Sequence, residues 1–432
     1  MEPFGIALIG CGVVGSGVAQ LLLQHNERLS LRAGRPLPLK KIVVLDPGKS
    51  RLYPVPRALL TTDLDAVCAD PSIQVGIEVV GTVEPARRII LQLLHSGKHV
   101  VTANKAVLSV HGDELFGAAA RLGRTIAFEA SVGGGIPIVH ALTHGLAANQ
   151  ILSIKAILNG TSNYILTQMT EQGMSYQAAL QAAQKHGYAE PDPTLDVDGT
   201  DAAHKLAILA RLAFGVRLCG TAIERRGIDN IQLADLRFAR ELGYVIKLLA
   251  EAWSSAGRVA LHVEPTLIRK YEPLAEVRGP YNAIHVVGDA VQDTLYYGPG
   301  AGQLPTASAV LADIIDLALG RAQLTSKSLT LASPGNATGL RSAEDIASRF
   351  YLRINVRDHL GVLAAIDSVL AQEKVSISSV VQHEASQTDE GPGDPVVIMT
   401  HSANLGAVRR AVTRINALPC TVAPTVYYPV AE

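Results

Sequence analysis

The chain has 432 residues, 48% hydrophobic and 18% charged, with 38 Lys and Arg against 39 Asp and Glu. That length suits about two to four domains with real cores, and the balanced charge excludes nucleic acid or an anionic membrane as the main partner. Four well-separated cysteines form no CxxC or disulfide-like framework, no apolar run reaches the ~18–20 residues that span a bilayer, and no basic leader opens the chain, so a cytoplasmic enzyme is expected.

The first predicted element is a buried strand over residues 4–9, followed by Gly10-Cys11-Gly12-Val13-Val14-Gly15 and an apolar helix. Between a strand and a helix, GxGxxG has a mechanism: the glycines permit a tight turn and close approach of a pyrophosphate to the helix N-terminus. Gly10, Gly12, Val13, Val14 and Gly15 are therefore assigned to a dinucleotide. A second strand over residues 41–46 ends on Asp46, an acid for the adenosine ribose hydroxyl, while Lys49 and Arg51 just beyond suit a 2′-phosphate. NADH and NADPH both remain open. A strand over residues 75–80 ends at Gly81-Thr82, where the chain passes the nicotinamide end, and a strand over residues 99–102 leads into Ala103-Asn104-Lys105. Lys105 falls at the carboxyl edge of the sheet, where α/β folds bind ligands, although a solvated loop lysine reads the same way.

A strand ending near Glu129 runs into a glycine-rich loop, Val132-Gly133-Gly134-Gly135-Ile136-Pro137. Such a loop can turn carbonyls around a hard cation, with Glu129 supplying charge, or act as a domain junction. After a strand over residues 151–158 comes the densest chemistry of the chain. Residues 190–205 place five carboxylates, Glu190, Asp192, Asp196, Asp198 and Asp201, in a Pro- and Gly-punctuated loop that enters an apolar helix. Asp198 or Thr200 can cap that helix. Asp201 and Lys205 lie one turn apart, in line with Ile208 and Leu212 and off the stripe of His204 and Arg211. A bare pair at this spacing is worth only about 0.2–0.5 kcal/mol, but the acidic loop before it points to a site for a small charged substrate.

Strands over residues 258–265 and 283–287 and a helix over residues 307–319 follow, the helix returning to the nucleotide domain. Residues 321–348 read as a linker. Beyond it come a strand over 351–356, a helix opened by Asp358-His359-Leu360-Gly361, strands over 375–383 and 396–400, a helix over 406–417 and a strand over 425–428, a βαββαβ order.

The glycine fingerprint, Thr102-Ala103-Asn104-Lys105, Asn159-Gly160-Thr161-Ser162-Asn163-Tyr164, Gly187-Tyr188-Ala189-Glu190-Pro191-Asp192-Pro193, the Asp201 to Lys205 turn and Gly298-Pro299-Gly300-Ala301-Gly302 together resemble homoserine dehydrogenase, in that family's order and over residues 1–320. The resemblance implies reduction of L-aspartate 4-semialdehyde to L-homoserine with NAD(P)H, on the route to threonine, methionine and isoleucine. It makes Lys205 the catalytic acid/base and Lys105 a second active-site lysine. Glu190, Asp196 and Asp201 would hold the substrate, and Gly187 and Gly302 would approach the cofactor. Glu129 with the backbones of Val132, Gly134 and Ile136 would match a monovalent cation site, usually sodium. The family often carries Arg before the acid of the second strand, where this chain has Leu45, so strict NADP preference does not carry over. A protonated lysine suits reduction, whereas alcohol oxidation needs it neutral and hence alkaline conditions.

The C-terminal order resembles an ACT domain, which implies threonine as a feedback effector; a dimerising appendage without ligand is the alternative. The expected fold is α/β: a Rossmann-type nucleotide-binding domain over residues 1–135 completed by a helix at 306–320, an α+β substrate-binding and dimerisation domain over 136–305, the linker, and an ACT-like domain over 349–432. The open sheet face of the middle domain implies a homodimer or homotetramer. Two other classes compete. A non-catalytic nucleotide- and amino-acid-sensing regulator would lack the set of Lys105, Glu190, Asp201 and Lys205, and a thioester-forming enzyme would need an activated cysteine, for which Cys11, Cys68, Cys219 and Cys420 offer no context.

Overall fold

The computed structural model describes residues 2–255, 257–328, 339–342, 344, 346–357, 359–382 and 393–431. Its strands in chain order are β1 (Ile6–Ile9), β2 (Leu39–Val43), β3 (Leu60–Thr61), β4 (Val75–Glu78), β5 (His99–Thr102), β6 (Ile126–Ala127), β7 (Ile151–Ile157), β8 (Tyr244–Ser255), β9 (Arg258–Arg269), β10 (Tyr281–Gly288), β11 (Gln292–Pro299), β12 (Gly339–Leu340), β13 (Ala347–Val356), β14 (Ile377–Gln382), β15 (Asp394–Thr400), β16 (Ala403–Asn404) and β17 (Val426–Val430). The chain divides into two compact units, Met1–Ser153 with His204–Ala222 and Asn282–Thr338, and Ile154–Ala203 with Ile223–Tyr281 and Gly339–Glu432.

The first unit is built on a six-stranded parallel sheet in the order β3-β2-β1-β4-β5-β6. β1 is buried along its whole length, the continuous apolar run of a strand covered on both faces. Helices Val13–Gln24, Leu64–Ala69, Val83–His95 and Lys105–Arg121 make the crossovers. Strand order reverses between β1 and β4, so their carboxyl ends frame the crevice in which such sheets bind ligands. Helix Gln303–Leu319 packs on Val13–Gln24 at Gly17, where an added Cβ would stand 2.6 Å from the Gln303 carbonyl oxygen. Val310 and Ile314 join Val18 and Leu22 in one core. The completing helix thus exists and begins at Gln303, because Gly302 in a left-handed conformation (φ 128°) turns the chain into it.

The second unit carries the sheet order β7-β8-β9-β17-β13-β15-β14. β8 and β9 form a hairpin paired from Tyr244↔Arg269 to Ser255↔Arg258. The C-terminal part has the expected βαββαβ order, with helices Val362–Gln372 and Leu405–Asn416 and four antiparallel strands arranged fourth, first, third, second. Phe350, Leu352, Ile366, Leu370, Ile398 and Ile415 are among the side chains of its core. Its last strand pairs in parallel with β9 at Val430↔Leu267, so this part extends the sheet of the middle segment. Buried Asp235, on helix Leu233–Glu241, accepts from Arg353 Nε (2.6 Å) and Nη2 (3.1 Å) and from the Tyr351 hydroxyl (3.1 Å) on β13.

One expectation is corrected. The segment read as a linker from residue 321 opens with helix Arg321–Ser328, because Gly320 (φ 82°) ends the preceding helix in a left-handed cap and the chain re-enters a helix at once. The compact units group most of residues 154–281 with the C-terminal part, whose strand β17 pairs with β9. Of the linker reading, residues 329–338, 343 and 345 lie outside the described residues, as do Asp358 and the end of the strand at His383. Among the described residues, no single helix is long and apolar enough to cross a membrane.

Candidate active site

The nucleotide end is set by three glycines with different tasks. Gly10 leaves β1 at φ 97° with its Cα pressed on the Val79 carbonyl, where an added Cβ would meet oxygen at 2.8 Å. Gly15 packs on the Gly10 carbonyl, 2.3 Å from where a Cβ would stand. Around Gly12 nothing lies within 4 Å, so a Cβ there would occupy only the space a ligand would use. Helix Val13–Gln24 has no side-chain N-cap, which leaves first-turn N–H groups of Val13 and Val14 directed at that space. Gly81 (φ 84°) and Thr82 follow β4 at the same sheet edge, with Thr82 starting helix Val83–His95.

Asp46 is not at a strand end. β2 stops at Val43, because Asp46 folds into a turn in which its Oδ1 accepts from the Gly48 N–H at 2.7 Å. Arg51 curls back on the same loop, donating to the carbonyls of Asp46 (2.7 Å) and Lys49 (2.5 Å), and Leu45 is fully exposed.

A buried network beneath Lys105 was not read from the sequence. Glu78, the last residue of β4 and wholly buried, accepts from the Val80 N–H (2.8 Å) and the Thr102 hydroxyl (2.6 Å). Burial pushes its carboxyl above the ordinary value, against these hydrogen bonds. The Thr102 oxygen accepts from Asn104 N–H, and Asn104 caps helix Lys105–Arg121 through Val107 N–H while donating to the Thr82 carbonyl at 3.0 Å. One relay thus positions Gly81-Thr82 and the first helical residue, Lys105. A carboxyl at the carboxyl end of an otherwise apolar strand is the signal that could have found Glu78.

In the second unit Asn159 gathers two of the predicted substrate carboxylates. Its Nδ2 donates to Asp196 Oδ1 at 2.7 Å and to Asp201 Oδ2 at 2.9 Å, while its Oδ1 caps helix Gly160–Gln172 through Ser162 N–H at 2.8 Å. Thr161 Oγ1 lies 2.6 Å from the Tyr188 carbonyl and 3.1 Å from Asp196 Oδ2. Glu190 and Gly187 (φ 74°) are exposed in the loop before them. Asp192 closes a turn on Thr194, and Asp198 receives both the N–H and the hydroxyl of Thr200 at 2.8 Å, holding the start of helix Thr200–Phe214. That helix carries Asp201 and Lys205 one turn apart, 7% and 8% exposed, so the pair is no surface ion pair. Residues 224–228 underlie the turn: Ile228 N–H donates to the Val197 carbonyl (2.8 Å), Arg226 N–H to Val263 (2.8 Å), and the Arg226 guanidinium to Glu264 and the Tyr427 carbonyl (2.8 Å).

The loop from Glu129 to Pro137 is anchored at its acidic end. The Glu129 carboxylate accepts from the N–H groups of Val139 (3.0 Å) and His140 (2.7 Å), and the His140 ring stands among Glu129, Asp313 and Asp316. Burial raises Glu129 to about 7, and a hydrogen bond to Asp313 raises His140 to about 9. Gly133 and Gly134 have positive φ, the Gly134 Cα abuts the Gly300 backbone, and Val132 and Ile136 are buried. Beside Gly300 the Asn282 carboxamide is wholly buried, and among the described residues neither of its polar atoms has a hydrogen-bond partner. Among the described residues no group of three or more His, Cys, Asp or Glu side chains could hold a metal.

Two family models match the chain: one described as homoserine dehydrogenase over residues 137–315, and one described as homoserine dehydrogenase, NAD binding domain, over residues 10–129. The homoserine dehydrogenase of Bacillus subtilis (strain 168) is 39% identical over 418 residues, 97% of this chain and 96% of its own length, and that of Neisseria gonorrhoeae is 41% identical over 428 residues, 98% of each. The crystal structure of a homoserine dehydrogenase from Thiobacillus denitrificans superposes with a TM-score of 0.89 at 38% identity, covering 100% of this chain and 99% of that one. The chain belongs to the homoserine dehydrogenase family. It is an NAD(P)-dependent oxidoreductase that acts on a small molecule.

Within this dehydrogenase each unit carries its own share of the predicted residues. The first holds the fingerprint, Gly81, Thr82, Lys105, Lys205, Gly302 and the loop from Glu129 to Ile136; the second holds Gly187, Glu190, Asp196 and Asp201. The structure brings Asp196 and Asp201 together on Asn159, and leaves Asp46 and Arg51 in one self-contained turn. Glu78, Thr102, Asn104, Asn159 and Thr161 are the polar groups that sequence reasoning left without roles. Four of them stand inside motifs already quoted, so residue type within the motif was the available signal.

Proposed function

We propose that this dehydrogenase interconverts L-aspartate 4-semialdehyde and L-homoserine, with Lys205 giving the carbonyl oxygen its proton in reduction and removing it in oxidation. The observation that carries this is helix Thr200–Phe214, which opens on a turn of carboxylates and bears buried Asp201 and Lys205 on adjacent turns. Charge growing on a carbonyl oxygen calls for a positioned cation or proton donor, and Lys205 is both. Asp196, Asp201 and Glu190 suit the ammonium end of the amino acid. Lys105, seated by the Asn104 cap at the sheet edge, is read as the second lysine near nicotinamide and substrate.

The bound nicotinamide cofactor supplies or accepts the hydride. The open space at Gly12 and the uncapped first turn fit its pyrophosphate, with Gly10, Val13, Val14, Gly15, Gly81, Thr82 and Gly302 in the same unit; Gly187 is assigned to the cofactor by the family resemblance alone. Asp46 is exposed and would repel a 2′-phosphate, and Arg51 is drawn into its own loop, which supports NADH; NADPH is the cofactor of an archaeal homologue, 25% identical, solved in complex with it. A sodium ion would be held by Glu129 and the backbones of Val132, Gly134 and Ile136, and the positive-φ glycines and the unpartnered Asn282 amide beside Gly300 fit a hard, oxygen-seeking ion. The chain is read as a cytoplasmic homodimer or homotetramer, with residues 1–135, 136–305 and 349–432 as nucleotide, substrate and ACT-like regulatory parts.

Threonine is the proposed effector, in a cleft of about 440 Å3 lined by His359, Gly361, Val362 and Gln382. The deciding experiment is Lys205→Ala, assayed spectrophotometrically with aspartate semialdehyde and with homoserine. It should lose most turnover while binding NAD(P)H normally, and unchanged turnover would reject the assignment. Threonine titration of the full chain against Gly361→Val tests the effector; equal responses reject that cleft.

A further inference from the structure

We propose that Asn159 is a positioning residue that holds the two substrate carboxylates, Asp196 and Asp201, at the separation the amino acid's ammonium group requires. This rests on the reading of the acidic turn as the substrate site. A carboxamide has two N–H donors and one oxygen. Asn159 spends the donors on Asp196 Oδ1 (2.7 Å) and Asp201 Oδ2 (2.9 Å), and its oxygen on Ser162 N–H (2.8 Å). The carboxylates accept from its nitrogen and the Ser162 N–H donates to its oxygen, so the network fixes the orientation of the amide and the flipped amide satisfies none of the three.

The two carboxylates come from different elements, Asp196 from the short helix Thr194–Val197 and Asp201 from helix Thr200–Phe214. Two like charges this close repel each other. Donation of one N–H to each favours their ionised forms and sets their spacing. Thr161 cannot take over, because its single hydroxyl proton has the closer Tyr188 carbonyl at 2.6 Å as well as Asp196 Oδ2 at 3.1 Å. The site is 5% exposed at Asn159, so water does not readily substitute for the amide. Helix Gly160–Gln172 thereby does two jobs with one residue, its cap and its hold on the substrate site.

The test uses Asn159→Ser and Asn159→Asp, both of which keep a good N-cap for Ser162. Steady-state kinetics of the full-length enzyme with homoserine and with aspartate semialdehyde, from pH 6 to 10, should show the amino-acid KM of Asn159→Ser raised about 10- to 100-fold, with the cofactor KM within about twofold of the parent. In Asn159→Asp a third carboxylate faces the other two, so its homoserine KM should improve as pH falls from 8 to 6, when one of the three regains a proton; Asn159→Ser should show no such recovery. A merely structural role would depress kcat, cofactor affinity and thermal stability together and without that pH signature, and this result would overturn the proposal. Asp196→Asn and Asp201→Asn separate the two levels. If they raise the amino-acid KM and Asn159→Ser does not, this inference alone fails; if they leave it unchanged, the substrate-site reading fails and the inference with it.

Discussion

Gly227 is the point at which the acidic turn is most exposed to a single-atom perturbation. An added Cβ would stand 2.2 Å from the Val197 carbonyl oxygen, 2.7 Å from the Asp198 Cα and 3.0 Å from the Val197 carbonyl carbon. All three are backbone atoms, so no side chain can swing away. Ordinary contact begins near 3.4 Å, and 3.4 − 2.2 leaves about 1.2 Å to be found by movement. The Arg226 side is pinned, because its N–H donates to Val263 on β9 and its guanidinium to Glu264 and Tyr427. The displacement therefore falls on Val197 and Asp198, between Asp196 and Asp201. Misplacing a binding group by about 1 Å costs on the order of 100-fold in rate, and overpacking costs about 1–3 kcal/mol of stability. Gly227→Ala should lower kcat/KM for homoserine about 100-fold, reduce the denaturant midpoint accordingly, and leave NAD(P)H affinity unchanged. Gly145→Ala, where nothing lies within 4 Å, is the matched control. A folded Gly227→Ala enzyme with parental kcat/KM would refute the reasoning.

Gly12→Ala should do the reverse: the added methyl meets no protein atom, so stability should stay within about 0.5 kcal/mol while cofactor KM rises, and a normal cofactor KM would show that this space is not the pyrophosphate's. Lys247, buried and donating to Asn163 Oδ1 and the Val277 carbonyl, is pushed down to about 8 from 10.5 by burial. The folded chain then binds fewer protons than the unfolded one between those values, so the cost of burying the charge is full below pH 8 and fades as pH rises to 10.5. Relative to Lys247→Met, the parent should gain about 3 kcal/mol between pH 7 and 10.5, read from denaturant midpoints; parallel pH curves would contradict this. Asp235→Ala strands the buried Arg353 guanidinium and should cost about 3–5 kcal/mol, with Asp235→Leu/Arg353→Met recovering most of it. A loss below about 1 kcal/mol in Asp235→Ala would mean that the pair does not hold helix Leu233–Glu241 to β13.

What the amino-acid order alone determined lies within short spans of chain. The fingerprint from Gly10 to Gly15, the strand and helix that flank it, and the spacing of Asp201 and Lys205 depend on neighbours one to five residues away, whose steric and hydrogen-bonding rules travel with the residue types. The βαββαβ order of the C-terminal part was legible for the same reason, as alternating periods of two and 3.6. Boundaries were misread where a side chain turned inward on its own loop: Asp46 takes the Gly48 N–H and so ends β2 early.

Tertiary structure decided the rest, because those groups meet only after the chain has closed long loops. Thr102 reaches Glu78 across 24 residues, Asn159 reaches Asp196 and Asp201 across 37 and 42, and Arg226 reaches Tyr427 across 201. No local pattern specifies such partners, since many polar residues offer the same donors and only the packed fold selects among them. Hence residue types announced a dehydrogenase and its acidic turn, whereas the fold alone decided which amide holds the carboxylates, which glycine supports them, and that the last strand belongs to the same sheet as β9.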